Sequence, residues 1–180
     1  MRRLLLLAAF CLTLTALGLS ATLQYLSLDD MTQQSTDIVR GAFQPTYSEM
    51  RGSVVYTHYQ VQVVERWKGE GNVRMDVAVP GGVSHGVQQT YAGAPTPQPG
   101  VEYVIFLWTS RSGLTQVIGL SQGLFMVSQD ATGATTAQRA ASTERMLNSD
   151  GSARSDVPVR FTLAQLRAMV LARMQAAGRK

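Results

Sequence analysis

The sequence alternates apolar and polar residues with a period of two, and this periodicity constrains the fold more than any other feature. In residues 54–67, one face carries Val55, Thr57, Tyr59, Val61 and Val63. The opposite face carries Tyr56, His58, Gln60 and Gln62. A period of two is typical of a β-strand that is buried on one face. We therefore predict a half-buried strand here, with His58 facing solvent.

The flanking segments extend this pattern. Residues 73–79 repeat the alternation, with an inward set of Val73, Met75, Val77 and Val79 and an outward set of Arg74 and Asp76. On the N-terminal side, residues 37–50 are separated from the long strand by Arg51-Gly52-Ser53. Because glycine favours tight turns, these segments predict a hairpin with its turn near Gly52.

The segment "VEYVIFLW", residues 101–108, is apolar on both faces. One face consists of Val101, Tyr103, Ile105 and Leu107, and the other of Val104, Phe106 and Trp108. A strand of this kind must be covered on both sides. We predict that a helix within residues 160–180 forms one cover, because Thr162 and Gln165 have the spacing of a capping box. Its apolar stripe is Leu163, Leu166, Val170 and Met174.

The remaining segments define the expected fold class. Ser27 and Asp30 have the capping-box spacing of a short helix over Leu28–Gln34, and residues 114–120 and 123–128 are typical of two further strands. We expect a mainly β domain over residues 22–129, a small five- to six-stranded antiparallel barrel (OB-like), with the C-terminal helix packed outside; a sandwich is the alternative. Residues 130–159, rich in Ala, Ser, Thr and Gly, predict a flexible linker with a short helix over residues 137–147.

Residues 1–21 have the features of a secretory signal peptide. Arg2 and Arg3 precede a long apolar run, and small residues follow near Ala21. We expect cleavage after Ala21, with Ser20 as the alternative, and a secreted or periplasmic chain without a stable membrane anchor. An uncleaved anchor helix is the competing interpretation.

Composition argues against several classes of partner. The formal net charge of +4 includes the two signal arginines, and the other basic residues are scattered, so we expect no nucleic-acid partner. A weak attraction to anionic membranes is the alternative to a solvated helix face for Arg160, Arg167, Arg173, Arg179 and Lys180. The two histidines, His58 and His85, lack metal-ligand spacing, and the only cysteine, Cys11, lies in the signal. We therefore expect no metal, no cofactor and no disulfide.

Residues 119–123, "GLSQG", match the G-x-S-x-G pattern that surrounds the nucleophile of serine esterases. That nucleophile lies between a buried strand and a helix, and its histidine base follows later in the chain. Here the residues after Gly123 are strand-like, and both histidines precede Ser121. We therefore predict a hairpin turn in which Gly119 and Gly123 permit tight backbone, and no catalytic role for Ser121.

Residues 80–100 form a connection that is too long for a plain turn. Connections of this length in compact domains are often functional. Its glycines and prolines surround His85, Gln88, Gln89 and Tyr91, a set suited to an adaptable contact surface with one aromatic anchor. We select His85, Gln88 and Tyr91 as candidate partner-binding residues. The alternative is a partly paired extra strand over Val87–Tyr91.

Four segments, "DIVRGAF", "YQVQVVERWKG", "VRMDVAVPGG" and "PGVEYVIFLW", together resemble the strand order of netrin-like modules. These modules are the OB-fold barrels of tissue inhibitors of metalloproteinases and related secreted proteins. The four segments also resemble secreted bacterial β-proteins with the same strand layout. The resemblance covers residues 37–108 and implies an OB-like barrel that binds a protein. The inhibitors chelate the zinc of their protease through an N-terminal cysteine, and no cysteine follows Cys11, so that mechanism is carried over to no residue here.

Three functional hypotheses follow. The first is an exported, non-enzymatic β-domain that binds another extracytoplasmic protein, with a protease as one candidate. The second is a serine hydrolase that uses Ser121. The third is a carrier of a small apolar ligand inside the barrel, although five or six strands usually leave an interior filled by side chains.

Overall fold

The computed structural model describes residues 21–178. The predicted signal segment, up to Ser20, and the last two residues lie outside this described part. Within residues 21–178, no helix is both long and apolar enough to cross a membrane.

The described chain is mainly β, with two α-helices and one 3-10 helix. Its strands are β1 Thr22–Gln24, β2 Asp37–Arg51, β3 Val54–Lys68, β4 Arg74–Pro80, β5 Gly82–Ser84, β6 Val87–Gln89, β7 Glu102–Thr109, β8 Thr115–Val117, β9 Leu124–Gln129, β10 Thr135–Arg139, β11 Arg145–Leu147, β12 Ala153–Arg154 and β13 Val159–Thr162. Its helices are α1 Leu28–Gln34, the 3-10 helix Leu120–Gly123 and α2 Leu163–Ala177.

One large antiparallel sheet contains most of the strands. Its order is β13-β10-β9-β7-β2-β3-β4, and β8 also pairs with β7. The predicted hairpin is confirmed as β2–β3, with Arg51 opposite Val54 and Gly52 in the turn. Two small sheets flank it: β5 pairs with β6, and β1 pairs in parallel with β11, which pairs in turn with β12.

The large sheet curls but does not close. Three register shifts interrupt the β2–β3 ladder, and irregularities of this kind bend strands. The Cα atoms of β4 and β8 consequently approach within 8 Å, yet no ladder joins these two strands in the described chain. The predicted mainly β class with outer helices is correct, whereas residues 21–178 form no closed barrel. The edge of β7 that pairs with β8 through residues 107–109 also pairs with β9 through residues 103–105. The sheet therefore continues through β10 and β13 instead of closing.

The two faces of the sheet bury two separate cores. The concave core contains Val39, Phe43, Val61, Val77, Tyr103, Ile105, Leu107 and Val117. The convex core contains Met31, Ile38, Trp67, Val104, Phe106, Phe125, Ala137, Leu166 and Val170. Because β7 contributes to both, the prediction that it is covered twice is confirmed for residues 103–107. Trp108 differs, since it lies past the helical cover and is 45% exposed.

Both predicted helices form with their predicted caps. Ser27 and Asp30 make a reciprocal capping box at the start of α1, and Thr162 and Gln165 make one at the start of α2. Helix α2 packs its stripe on the convex core, where Leu166 and Val170 are fully buried. The predicted outer helical cover is therefore present.

Three local predictions are wrong. His58 is 4% exposed and does not face solvent, because Tyr47 stacks on it. Val73 is exposed instead of inward, since it precedes the start of β4. Where a linker with a short helix is predicted in residues 130–159, the structure has the strands β10, β11 and β12, and Ala137 and Met146 are fully buried. Ala137 packs in the same core as Leu166 and Val170 of α2, a packing role that composition does not reveal.

Candidate functional site

The segment 80–100 folds into a hairpin, β5–β6, that lies against the end of the β2–β3 hairpin. Ser84 pairs with Val87, and His85 and Gly86 form the two-residue turn between them. Both turn residues have positive φ, 49° and 78°, as a type I′ hairpin turn requires. The alternative of an extra strand is therefore correct for Val87–Gln89, where the ladder with β5 forms.

One glutamine side chain anchors this hairpin to the large sheet. The side-chain oxygen Oε1 of Gln89 accepts from the backbone N–H of Val55 at 2.7 Å, and the side-chain Nε2 donates to the backbone carbonyl of Ser53 at 2.9 Å. The Tyr91 hydroxyl donates to the same Gln89 oxygen at 3.1 Å. A carboxamide is suited to this position because it donates and accepts at once. The hairpin is consequently held in one orientation.

The hairpin exposes one large apolar side chain on each of its two faces, because Val83 shares a face with Gln88 and Val87 lies on the opposite face. Val83 is 59% exposed and Val87 is 41% exposed, although both side chains are large and hydrophobic. Gln88, the cross-strand partner of Val83, is also exposed, and His85 stands at the turn. These four residues are called the hairpin surface below.

Tyr91 lies apart from the hairpin surface, in a concave site beneath it. This pocket of about 260 Å³ is lined by Thr57, Tyr59, Val79, Pro80, Gly81, Gly82, Gln89, Thr90, Tyr91, Ala94, Pro95 and Thr96. The structure thus brings His85 and Gln88 together and links Tyr91 to them only through the Gln89 anchor. Sequence reasoning missed Val83, although the alternation around the His85-Gly86 turn could have revealed it.

Ser121 lies in the single turn of the 3-10 helix between β8 and β9. An esterase nucleophile requires a base within hydrogen-bond distance. The two histidines are engaged elsewhere: His85 Nδ1 lies 3.0 Å from the Ser84 hydroxyl, and His58 Nδ1 lies 2.7 Å from Asp76. Within residues 21–178, no hydrogen bond joins the Ser121 hydroxyl to either imidazole. The predicted hairpin turn is wrong, because β8 and β9 each pair with β7 and not with each other, and Leu120–Gly123 form a 3-10 helix between them.

Gln122, the glutamine of the "GLSQG" segment, has a structural role. Gln122 is 1% exposed. Its Oε1 accepts from the Leu26 N–H at 2.9 Å, and its Nε2 donates to the Gln24 carbonyl at 2.9 Å. Gly119 begins the turn with a φ of 60°, and Leu120 follows with a φ of 58°. The segment therefore fastens the N-terminal chain to the sheet.

A buried histidine with two carboxylates lies on the outer face of β3. His58 Nδ1 contacts Asp76 at 2.7 Å, and Nε2 lies 3.3 Å from a Glu49 oxygen. The Tyr47 ring stacks on the imidazole with a centroid distance of 4.5 Å. Partial desolvation, followed by the charges of Asp76 and Glu49, raises the pKa of Tyr47 above its ordinary value. No group of three or more His, Cys, Asp or Glu residues that could hold a metal ion occurs in the described chain.

Comparison with known proteins adds no assignment. No family model matches the sequence, and no curated protein matches it.

Proposed function

We propose that this chain is an exported, non-enzymatic domain that binds another extracytoplasmic protein through the hairpin surface and the Tyr91 pocket. The observation that carries the proposal is the exposure of Val83 and Val87 on a hairpin that is anchored in one orientation. Exposed apolar side chains with a polar surround are typical of protein-binding surfaces.

Rigidity of the hairpin supports this role. Binding is weakened by the conformational entropy that a flexible loop loses, and a loop that is already ordered loses less. The three residue pairs of the β5–β6 ladder, the positive-φ turn and the Gln89 anchor order the hairpin before any partner arrives. Val83 and Gln88 are cross-strand neighbours, so one partner residue could contact both.

We also propose that the curled part of the sheet is an OB-like barrel that is open between β4 and β8. The support is that β2, β3, β4, β7 and β8 surround one concave core. The resemblance to netrin-like modules favours the same interpretation and a protease as one candidate partner. The binding role of the hairpin surface does not depend on this fold assignment.

Site-specific photocrosslinking tests the binding role. A photoreactive residue at Gln88 should capture a defined protein from the extracytoplasmic fraction, and the same residue at Gln60, exposed on the outer face of β3, should not. The captured protein is then purified, and its Kd for the unmodified chain is measured. Equal capture from both positions would contradict the proposal.

Substitutions in the hairpin surface and in the Tyr91 pocket should weaken that measured affinity without unfolding the domain. We expect Val83→Asp and Tyr91→Ala to weaken binding by roughly tenfold or more, because truncated anchors often cost about 2 kcal/mol. His85→Asn should weaken it less, and asparagine is used because it tolerates positive φ. Ser121→Ala is the control and should leave Kd unchanged. If Val83→Asp and Tyr91→Ala bind like the unmodified chain, neither the hairpin surface nor the Tyr91 pocket is the binding site.

A further inference from the structure

An open groove surrounds the one exposed tryptophan of the described chain. It has a volume of about 640 Å³ and is lined by Gln34, Trp108, Gln116, Val117, Ile118, Gly119 and Leu120. Trp108 and Gln116 are cross-strand partners on β7 and β8, so their side chains share a face. Gln34 is the last residue of α1 and closes the other side. The groove is distinct from the hairpin surface and from the Tyr91 pocket.

Among the residues that the structure describes, none that lines this groove has an ionisable side chain. All of its polar side chains are carboxamides apart from the indole N–H of Trp108. A carboxamide both donates and accepts hydrogen bonds, and so does a hydroxyl group, whereas an anion or a cation needs a partner of opposite charge. The groove is therefore suited to a neutral ligand that is rich in hydroxyl groups.

The polar groups of the groove are available for a ligand. Within residues 21–178, the side chains of Gln34, Trp108 and Gln116 make no hydrogen bond to the protein itself. By contrast, the structural carboxamides of Gln89 and Gln122 are bonded at both ends. Gln34 and Gln116 therefore differ from Gln89 and Gln122, because their carboxamides face a groove and make no hydrogen bond to the described chain.

A strained backbone forms one wall. Leu120 has a φ of 58°, a conformation that a large side chain rarely adopts. The strain is held in place because the next N–H, that of Ser121, donates to the Gly93 carbonyl at 3.0 Å. Strained residues cluster at binding sites, where surrounding contacts maintain a shape that the backbone would not otherwise adopt.

We propose that the groove binds one ring of a neutral saccharide, stacked on the indole of Trp108 and hydrogen-bonded by Gln34 and Gln116. A pyranose ring has a flat face of C–H groups, which suits an aromatic ring, and hydroxyl groups around its edge, which suit carboxamides. A protein partner is less favoured, because none of the other large exposed hydrophobic residues of the described chain lines this groove. This proposal is independent of the protein partner of the hairpin surface.

Calorimetric titration of the full chain tests the proposal directly. The probes are neutral oligosaccharides of glucose and of N-acetylglucosamine, the polyanion polygalacturonate, and a neutral Gly-Ser peptide. We expect at least one neutral saccharide to bind, with an affinity that is insensitive to salt. No binding by any neutral saccharide, binding by polygalacturonate alone, or binding by the peptide without the saccharides would each overturn the proposal.

Variants locate the site. Trp108→Ala should weaken saccharide binding roughly tenfold or more, and Gln116→Leu should weaken it several-fold, as expected for the loss of an aromatic anchor and of a hydrogen bond. Gln60→Leu, an exposed glutamine outside the groove, is the matched control. Melting temperatures verify folding, and Trp108→Leu, which also lacks an aromatic ring, replaces Trp108→Ala if the latter fails to fold. Unchanged affinity in the folded Trp108 variant and in Gln116→Leu would overturn the assignment.

Fluorescence gives a second measurement, since only Trp67 and Trp108 emit and Trp67 is buried. Saccharide should protect Trp108 from acrylamide quenching, and this protection should vanish in Trp108→Phe, which retains only Trp67. Protection that persists in Trp108→Phe would place the ligand elsewhere and overturn the proposal.

Discussion

Ser121 and Gln122, adjacent residues of the "GLSQG" segment, differ in how much they stabilise the fold. The Ser121 side chain is half-buried and makes no hydrogen bond to the rest of the described chain. Gln122 is buried and holds both a donor and an acceptor of the segment 24–26. A buried backbone group without a hydrogen-bond partner lowers stability. The fold therefore requires Gln122, and not Ser121 of the G-x-S-x-G pattern.

We predict that Gln122→Ala lowers the free energy of unfolding by about 2–4 kcal/mol, because it leaves the Leu26 N–H and the Gln24 carbonyl without their partner. Ser121→Ala, the adjacent control, should change it by less than about 0.5 kcal/mol. Urea unfolding of both variants measures this. Similar values for the two would mean that water replaces the Gln122 amide.

Among the elements, helix α2 makes the clearest contribution to stability. It is fixed at its start by a reciprocal capping box and covers the convex core through Leu166 and Val170. Ion pairs tie its exposed side to the domain, Arg167 with Glu65 and Arg173 with Asp29. Exposed pairs of this kind contribute little, so the buried stripe should dominate.

Replacing a stripe residue with a charge should therefore unfold the domain. We expect Leu166→Asp to cost several kcal/mol, which is a large part of the stability of a small domain. Ala168→Asp is the matched control, since Ala168 is exposed on the same helix. Thermal melts followed by circular dichroism compare the two. Equal melting temperatures would show that α2 is not an essential cover.

At the scale of the whole molecule, a buried ion pair ties the chain between β10 and β13 to the sheet. Arg139 donates to both Asp156 carboxylate oxygens, at 2.5 and 3.0 Å, and the Ser142 N–H donates to the same carboxylate at 2.8 Å. Both side chains are almost fully buried. Burial alone would raise the pKa of Asp156, but the hydrogen bonds and the charge of Arg139 outweigh it and hold the pKa below its ordinary value of 3.8.

This pair predicts an acid-sensitive contribution to stability. Because the folded-state pKa of Asp156 is lowered, its contribution is complete above the ordinary value of 3.8 and is lost as pH falls through the folded-state pKa. We expect Asp156→Asn to destabilise the domain by about 3–5 kcal/mol at neutral pH, since Arg139 is left buried without its counter-charge. The exposed Glu70→Gln is the control. Melting temperatures from pH 7 to pH 3 test this; a variant as stable as the unmodified chain at neutral pH would contradict it.

The sequence by itself determined the elements whose signals are local. The capping boxes at Ser27 and Thr162, the turn at Gly52 and the two apolar faces of β7 depend on neighbouring residues, and the structure contains them as predicted. For the candidate site, sequence reasoning found the segment 80–100 and its exposed His85 and Gln88, because long connections and turn residues are visible locally.

Only the tertiary structure decided what depends on contacts between distant segments. His58 is buried because a bulge near Thr46 brings Tyr47 over it, and alternation within β3 carries no information about that strand pair. The groove at Trp108 combines residues of α1, β7, β8 and the 3-10 helix, and whether β4 reaches β8 depends on the summed bends of several strands. Periodicity assigns a side chain to a face of its own strand, whereas the packing of separate elements decides whether that face is covered, open or shaped into a site.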